Sequence, residues 1–324
     1  MNKNFISLLD EITPEIKPAN KKYLSDMIEK IIYSSSPYPV NIKNWDYINV
    51  KRDQNNTSVM VLPGSFLDIG YLDMFCNHLS HKGFSVSGLN YPLHMKNQKI
   101  EDLNNLSLAD YVHSAYDLIY NISNESKSDL YLLGHSLGTI IIQMILLIRY
   151  AAEKTKMKSV KGLKGAIFMG GGPPKIGIKE IISTIIKRSN TIPVIMQMTG
   201  NPVKFSGIDG MMKKTLGSES NYEYLNNNGL IYCESKKVMK ECFIGNDYHY
   251  IPGYLIEKMN LRTLFVYGKK DLFVTPEISL KAASQWKAQC LEFDLDHTDL
   301  VIDKSGLKTA DLISDWINCQ EEKQ

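Results

Sequence analysis

Residues 134–138 read Gly-His-Ser-Leu-Gly, which places Ser136 between two glycines. The pattern G-x-S-x-G is typical of a serine held on a sharp turn between a strand and a helix, where its hydroxyl is exposed for nucleophilic attack. A chain of this length would contain the pattern by chance in roughly one case in ten. The flanks add the necessary context, because an apolar, strand-like run at 129–133 precedes the turn and a long apolar run at 139–148 follows it. The sequence therefore predicts that Ser136 is a nucleophile.

Two residues further along the chain could activate this serine. A serine hydroxyl needs a base within hydrogen-bond reach, and the base needs an acid that fixes its orientation. Asp271 follows the predicted strand at 262–268, and His297 follows the predicted strand at 290–295. Taken singly, the aspartate is equally well explained as a helix-capping or turn residue, and the histidine is better explained as a surface-loop residue. Their order after Ser136, each at a strand end, favours the acid and base roles.

Three other aspartates compete with Asp271 for the acid role, namely Asp294, Asp296 and Asp299. We rank them lower because they lie close to His297 in sequence, and such near neighbours seldom approach one another in the required orientation. Asp299 could instead support the loop around the histidine.

Acyl transfer also needs hydrogen-bond donors at the point where negative charge develops on the substrate oxygen. One predicted donor is the backbone N–H of Leu137, at the start of the helix that follows the nucleophile. The other comes from the turn after the predicted strand at 58–62, where the N–H of Ser65 is the first candidate and that of Phe66 the alternate. An ordinary glycine turn at Gly64 is the competing interpretation.

The other histidines are expected to have structural places. His135 directly precedes Ser136 on the turn, so its side chain should point away from the serine and pack beneath the bend. Four histidines that precede it lie on predicted helices or loops without the spacing of metal ligands, at surface or hydrogen-bonded positions: His78, His81, His94 and His113.

The elements that position these residues follow from the hydrophobic pattern. Apolar residues recur at helical spacing in residues 1–36, which predicts an N-terminal helical extension. Strands alternate with helices in 37–174 and again in 258–324, a pattern typical of an α/β fold with a mostly parallel central sheet and helices on both faces. Residues 175–257 have no such pattern and exceed an ordinary connection in length, which predicts a mainly helical cap or lid. Weak alternation at 39–51 predicts a hairpin at the sheet edge.

Composition narrows the expected partners and compartment. The 324 residues have a formal net charge of +2 and scattered basic residues, which argues against nucleic acid or an anionic membrane surface as a partner. The N-terminal segment carries acid where a signal peptide would be apolar, and the longest apolar run is too short to span a bilayer. Five irregularly spaced cysteines fit free thiols in a reducing compartment. We therefore expect a cytoplasmic protein without stable membrane insertion.

Four motifs together make the chain resemble the α/β-hydrolase superfamily, in particular lipase-like and lysophospholipase-like serine hydrolases with a cap insertion. They are the oxyanion loop at 62–65, the nucleophile turn at 134–138, the acid turn at 267–271 and the histidine loop at 296–300. The resemblance covers roughly residues 39–174 and 258–320. Two positions depart from the usual pattern: Pro63 stands where a histidine is common, and Asp296 stands where a glycine often precedes the histidine.

This resemblance implies an enzyme, a serine hydrolase of the carboxylesterase or lipase-like type, with no cofactor and no metal. It would cleave an ester or thioester of a hydrophobic acyl substrate through an acyl-enzyme, with Ser136 as nucleophile, His297 as base and Asp271 as orienting acid. Two alternatives stay open. The chain could be an acyltransferase or thioesterase for an acyl chain bound to an acyl carrier or CoA in a biosynthetic pathway. It could also be a non-catalytic homologue that binds a ligand in the same pocket.

Overall fold

The computed structural model of the chain centres on one sheet. Described are residues 3–45, 57–94, 100–125, 127–171, 219–243, 251–271 and 273–319. Within these ranges the sheet has seven strands: β1 (Ile42–Asn44), β2 (Thr57–Leu62), β3 (Ser85–Leu89), β4 (Asp129–His135), β5 (Leu163–Met169), β6 (Arg262–Gly268) and β7 (Gln289–Phe293). Their order across the sheet is β1-β3-β2-β4-β5-β6-β7. The pairing of β1 with β3 is antiparallel and every other pairing is parallel, which confirms the predicted sheet.

Helices connect and cover these strands. The described ranges contain α1 (Lys3–Ile12), α2 (Pro18–Tyr33), α3 (Asp73–His81), α4 (Ile100–Leu103), α5 (Leu108–Glu125), α6 (Leu137–Lys154), α7 (Glu219–Asn227), α8 (Lys236–Phe243), α9 (Gly253–Lys258), α10 (Pro276–Trp286) and α11 (Asp303–Asn318). A 3-10 turn at Ile69–Leu72 leads into α3.

Both faces of the sheet are covered, as the strand-helix alternation predicts. Successive side chains of a strand point to opposite faces. On the central strand β4, Leu130 and Leu132 pack into an apolar cluster with α1, α2, α5, α6 and α10. Tyr131 and Leu133 of the same strand pack into a second cluster with α3 and α11. This two-sided burial explains why the strand reads as a continuous apolar run.

Helix α6 accounts for the long apolar run after the serine. Nearly all of its residues are buried, because the helix lies between the sheet and the helices α2 and α5. A helix that is apolar on every side belongs in a protein core. Among the described helices, none is long and apolar enough to cross a membrane.

The hairpin predicted at 39–51 is described only through residue 45. In this part a strand, β1, lies at the edge of the described sheet and pairs with β3. The N–H of Trp45 continues this pairing by donating to the carbonyl of Val86 at 3.0 Å. Alternation shows that a segment suits a sheet, but it does not identify the partner strand. Residues 46–51 lie outside the described residues.

The N-terminal helices pack onto the core, as the helical spacing in residues 1–36 suggests. Phe5 and Leu9 of α1, with Leu24 and Ile28 of α2, are buried in the same apolar cluster as Leu130 and Leu132 of β4. Contacts of α2 with both α5 and α6 place this pair of helices on one side of the sheet.

The insertion predicted at 175–257 is described in part. Its described residues form α7, α8 and most of α9, in keeping with the expected helical character. Between α7 and α8 the chain makes an isolated antiparallel bridge, Ile231 with Leu67, to the loop after β2. The segments 175–218 and 244–250 lie outside the described residues.

Candidate active site

Ser136 lies on the turn between β4 and α6, where the flanking pattern predicts it. Its backbone angles, φ 52° and ψ −114°, are rare for a residue with a side chain and indicate a tightly constrained turn. A Cβ on Gly134 would lie 2.6 Å from the carbonyl carbon of Gly138, and one on Gly138 would lie 2.2 Å from the carbonyl oxygen of Leu62. The N–H of Ser136 donates to the Met169 carbonyl of β5 at 2.9 Å. The turn is therefore closed by backbone contacts that admit only glycine at its two flanks.

His297 and Asp271 form a hydrogen-bonded pair beyond the carboxyl ends of β7 and β6. The distance from Nδ1 of His297 to Oδ2 of Asp271 is 2.7 Å, and the side chains are 3% and 0% exposed. The other oxygen of Asp271 accepts the backbone N–H groups of Phe273 and Val274, each at 2.8 Å. Because the carboxylate is an acceptor, Nδ1 carries the imidazole proton. Nε2 then has a free lone pair and can act as a base.

The competing aspartates have other surroundings. The exposed carboxylate of Asp294 pairs with Lys270 at 3.0 Å. Oδ1 of Asp299 accepts from the side-chain amide of Asn221 on α7 at 2.6 Å. Asp296 is half-buried, and burial together with the negative charge of Asp299 raises the pKa of its carboxyl. The aspartate after β6 is thus the carboxylate that the fold brings to the imidazole.

Space for the imidazole depends on Gly170, which the sequence reasoning did not single out. Gly170 follows β5 with φ +52°, and its N–H donates to the carbonyl of Val266 at 2.9 Å. A Cβ at this position would lie 3.1 Å from Nδ1 and Cε1 of His297 and 3.4 Å from Oδ2 of Asp271. The available signal in the sequence was a glycine at the end of the strand-like run 163–170, since a glycine there indicates a positive φ or a close approach.

The loop after β2 lies against the nucleophile turn. A Cβ on Gly64 would lie 3.2 Å from the Cβ of Ser136. Ser65, Phe66 and His297 line the same cleft as Ser136. The structure therefore brings the predicted oxyanion loop, Ser136 and His297 to one cleft at the carboxyl edge of the parallel strands, the edge at which α/β sheets bind ligands.

The candidate oxyanion donors differ in their hydrogen bonds. The N–H of Phe66 donates to Oε2 of Glu234 at 3.3 Å, so the alternate candidate is already engaged. The N–H of Ser65 has no acceptor among the described residues. Leu137 is the first residue of α6, where backbone N–H groups have no acceptor within the helix. This arrangement favours Ser65 and Leu137 over Phe66.

His135 is fully buried beneath the turn, as expected for the residue before the serine. Its Nε2 lies 3.1 Å from the carbonyl oxygen of His297, so Nε2 must carry a proton. Its Nδ1 lies 2.7 Å from the hydroxyl of Tyr71, and that hydroxyl already accepts the N–H of Gly64 at 2.9 Å. The Tyr71 hydroxyl therefore donates to Nδ1, and the imidazole is neutral. Burial, together with the nearby His297, lowers the pKa of His135 to about 3, which agrees with this tautomer.

A second buried group, the pair of His94 with Glu234, contacts the same loop. Nε2 of His94 lies 3.3 Å from Oε2 of Glu234, and Nδ1 lies 3.2 Å from the carbonyl oxygen of Pro92. Both neighbours are acceptors, so the ring carries two protons and a positive charge. The other carboxylate oxygen accepts the Tyr111 hydroxyl at 2.6 Å and the Ser235 N–H at 2.9 Å.

The pKa values of this pair move in opposite directions. Burial by itself lowers the pKa of His94, but the charge and hydrogen bond of Glu234 outweigh it and leave the pKa raised. Burial by itself raises the pKa of Glu234, but His94 and the other hydrogen-bond donors leave it lowered. The position of His94 in the sequence could have indicated a place near the site, because it follows β3 and the carboxyl edge of the sheet is where ligands bind. No sequence pattern indicated Glu234, which lies in the insertion.

Comparisons with known proteins give a likeness in three dimensions only. No protein-family model matches the sequence, and no curated protein is similar to it in sequence. A soluble variant of the monoglyceride lipase from Saccharomyces cerevisiae, solved with a substrate analogue, is 12% identical with a TM-score of 0.63, over 89% of this chain and 97% of that chain. A thermophilic esterase from Thermogutta terrifontis is 15% identical with a TM-score of 0.60, over 90% and 97%.

A bromoperoxidase from Bacillus anthracis is also similar, with 14% identity and a TM-score of 0.56, over 88% of this chain and 96% of that chain. At these identities the likeness shows the fold alone. The three proteins differ in their named activities, so the fold does not determine the reaction of this chain.

Proposed function

We propose that this chain, which has the α/β-hydrolase fold, is a serine hydrolase that cleaves an ester of a hydrophobic acyl substrate through an acyl-enzyme. The observation that carries this proposal is the pair of His297 with Asp271, bonded at 2.7 Å, whose imidazole lines the same cleft as Ser136. The constrained backbone of the serine and the buried carboxylate are features that simple packing does not require.

Acylation would begin with attack of the Ser136 hydroxyl oxygen on the ester carbonyl carbon. Nε2 of His297 takes the hydroxyl proton, while Asp271 holds the imidazole by Nδ1–H and stabilises the imidazolium. The carbonyl oxygen becomes an oxyanion, which the N–H groups of Ser65 and Leu137 stabilise. Collapse of this intermediate breaks the ester C–O bond. The alcohol leaves with the proton from Nε2, and the acyl group stays on the serine.

Deacylation repeats these steps with water. Nε2 of His297 takes a proton from the attacking water, and the hydroxyl adds to the acyl carbon. The oxyanion forms again at the same donors. Collapse breaks the bond to the serine oxygen, which takes the proton back from Nε2 and releases the carboxylic acid.

The walls of the cleft support an apolar acyl group. Phe66, Leu67, Met239 and Phe273 line it beside the serine. Met239 belongs to α8, so the insertion reaches the site. This contact supports the proposal that residues 175–257 form a cap that shapes the substrate pocket. Two of the similar structures are named a lipase and an esterase, which supports an oxygen ester as the substrate class.

A fluorophosphonate probe tests the nucleophile. The wild-type protein should be labelled, labelling should vanish in Ser136→Ala, and it should drop strongly in His297→Ala. Ser284→Ala, at an exposed position on α10, is the matched control and should be labelled like the wild type. Labelling that persists in Ser136→Ala would contradict the proposal.

A substrate panel tests the reaction class. We expect p-nitrophenyl esters of medium or long acyl chains to be hydrolysed with a higher kcat/KM than acetate. Acyl-CoA thioesters in the same panel address the alternative, because faster turnover of the thioesters would favour a thioesterase or acyltransferase. Stoichiometric labelling without turnover of any ester would favour a ligand-binding homologue.

A further inference from the structure

The strand-like segment at 230–234 of the insertion is hydrogen-bonded to the loop after β2 at Phe66 and Asp68. The N–H of Asp68 donates to the carbonyl of Leu230 at 2.9 Å, and the N–H of Tyr232 donates to the carbonyl of Phe66 at 2.7 Å. These two bonds are an antiparallel backbone pairing. In a third bond the acceptor is a side chain and not a backbone carbonyl. The N–H of Phe66 donates to Oε2 of Glu234 at 3.3 Å.

The conformation of Phe66 explains why this third bond matters. Phe66 has φ +66°, a region that residues with a Cβ seldom adopt. Such a conformation persists only where the surroundings determine it from several sides. Here the backbone carbonyl and the backbone N–H of the same residue are both held by the segment at 230–234.

The carboxylate that holds this N–H is itself fixed and charged. Glu234 is fully buried, and its charge is balanced by the doubly protonated ring of His94 at 3.3 Å. Its second oxygen is held by the hydroxyl of Tyr111 at 2.6 Å. A hydrogen bond to an ionised acceptor is stronger than one between neutral groups. Glu234 therefore presents a rigid anion to the N–H of Phe66.

We propose that Glu234 is a positioning residue of the oxyanion hole. By engaging the N–H of Phe66 it sets the peptide geometry of the loop and leaves the N–H of Ser65 as the loop's donor to the substrate oxyanion. The insertion thereby contributes to transition-state stabilisation as well as to the pocket wall. This inference rests on the proposed function, because an oxyanion hole has meaning only for acyl transfer.

The test compares Glu234→Ala and Glu234→Gln with the wild type on p-nitrophenyl butyrate. Loss of a positioned oxyanion donor costs transition-state stabilisation and not substrate binding. In Glu234→Ala we expect kcat to fall on the order of tenfold to a hundredfold, with KM changed by less than about twofold. Glu234→Gln keeps an oxygen acceptor for Phe66 without the charge, so it should restore part of kcat.

The inhibition constant of a trifluoromethyl ketone distinguishes a positioning role of Glu234 from a purely structural one. The ketone forms a tetrahedral adduct with the serine and places its oxyanion at the same donors. Its inhibition constant should rise across the two variants by the same factor as kcat/KM falls. Tyr116→Phe is the matched control, because it removes a buried tyrosine hydroxyl that donates to the carbonyl of Lys158 and contacts neither Glu234 nor the cleft. It should lower the melting temperature and leave kcat unchanged.

Two results would overturn the inference. The first is a folded Glu234→Ala or Glu234→Gln with wild-type kcat, and the second is a fall in kcat without a matching loss of ketone affinity. If Glu234→Ala does not fold, kcat and the ketone inhibition constant of Glu234→Gln alone test the inference. These results are separable from failure of the proposed function, because Ser136→Ala tests the nucleophile independently. A wild type labelled at Ser136 together with an unaffected Glu234 variant refutes the positioning role only.

Discussion

The hydroxyl of Tyr71 lies 2.7 Å from Nδ1 of His135. The same oxygen accepts the N–H of Gly64 at 2.9 Å, and His135 donates from Nε2 to the carbonyl of His297 at 3.1 Å. A continuous chain of hydrogen bonds therefore runs from the oxyanion loop, beneath the nucleophile turn, to the backbone of the proposed base. Tyr71 and His135 are both buried, where an unmade hydrogen bond is costly.

Tyr71→Phe should weaken both stability and catalysis. The variant leaves the Gly64 N–H without its acceptor and His135 Nδ1 without its donor. We expect a loss of about 1–3 kcal/mol in the free energy of unfolding, measured by denaturant titration, and a lower kcat. Tyr116→Phe is the control, because its hydroxyl donates to the carbonyl of Lys158, away from the cleft. Tyr116→Phe should lower the free energy of unfolding without lowering kcat. An equal kcat in the two variants would refute a catalytic role for the hydrogen bonds of Tyr71.

Gly170→Ala should impair catalysis by displacing the imidazole. The added Cβ would lie 3.1 Å from the ring of His297, and the backbone angle of φ +52° disfavours a side chain. We expect kcat for an ester substrate to fall by about tenfold or more, since small displacements of a catalytic group are costly. Gly83→Ala is matched for the backbone effect, because φ is +99° and nothing lies within 4 Å of the added Cβ. Equal kcat values for the two alanine variants would contradict this account.

Asp271→Asn should keep the fold and remove most of the activity. The asparagine cannot hold the imidazole in the tautomer that leaves Nε2 as the base. On the pattern of serine proteases, kcat should fall on the order of a thousandfold to ten-thousandfold. Asp294→Asn, at an exposed carboxylate paired with Lys270, should retain wild-type kcat. The acid assignment is refuted if Asp271→Asn hydrolyses an activated ester as fast as the wild type.

Stability should fall in acid partly because of His135. Burial lowers its pKa from an ordinary 6.5 to about 3. Between these values the unfolded chain binds a proton that the folded chain does not, so the contribution is complete above pH 6.5 and is lost as pH falls toward 3. The slope from this one group is at most about 1.4 kcal/mol per pH unit. His135→Gln keeps an acceptor and a donor, so its unfolding free energy should depend less on pH between 7 and 5, roughly the upper part of that window. Identical slopes for both proteins would count against a neutral buried ring.

The local sequence pattern was sufficient to predict the strands and the helix that position Ser136, Asp271 and His297. The strand before Ser136, the helix after it and the strands before Asp271 and His297 follow from apolar runs and turn residues that lie next to one another in sequence. Because these strands are parallel, their carboxyl ends meet at one edge of the sheet. The order of three residues along the chain was therefore enough to predict which of them share a cleft.

Only the tertiary structure decided which hydrogen bonds these residues make. Phe66 and Glu234 are separated by 168 positions, so no local pattern connects them, yet their contact distinguishes Ser65 from Phe66 as the candidate donor. The tautomer of His135 depends on Tyr71, 64 positions earlier. Propensity and periodicity report which surface of a segment is buried. They do not report which distant atom satisfies a buried donor, because that choice is made when the elements pack together.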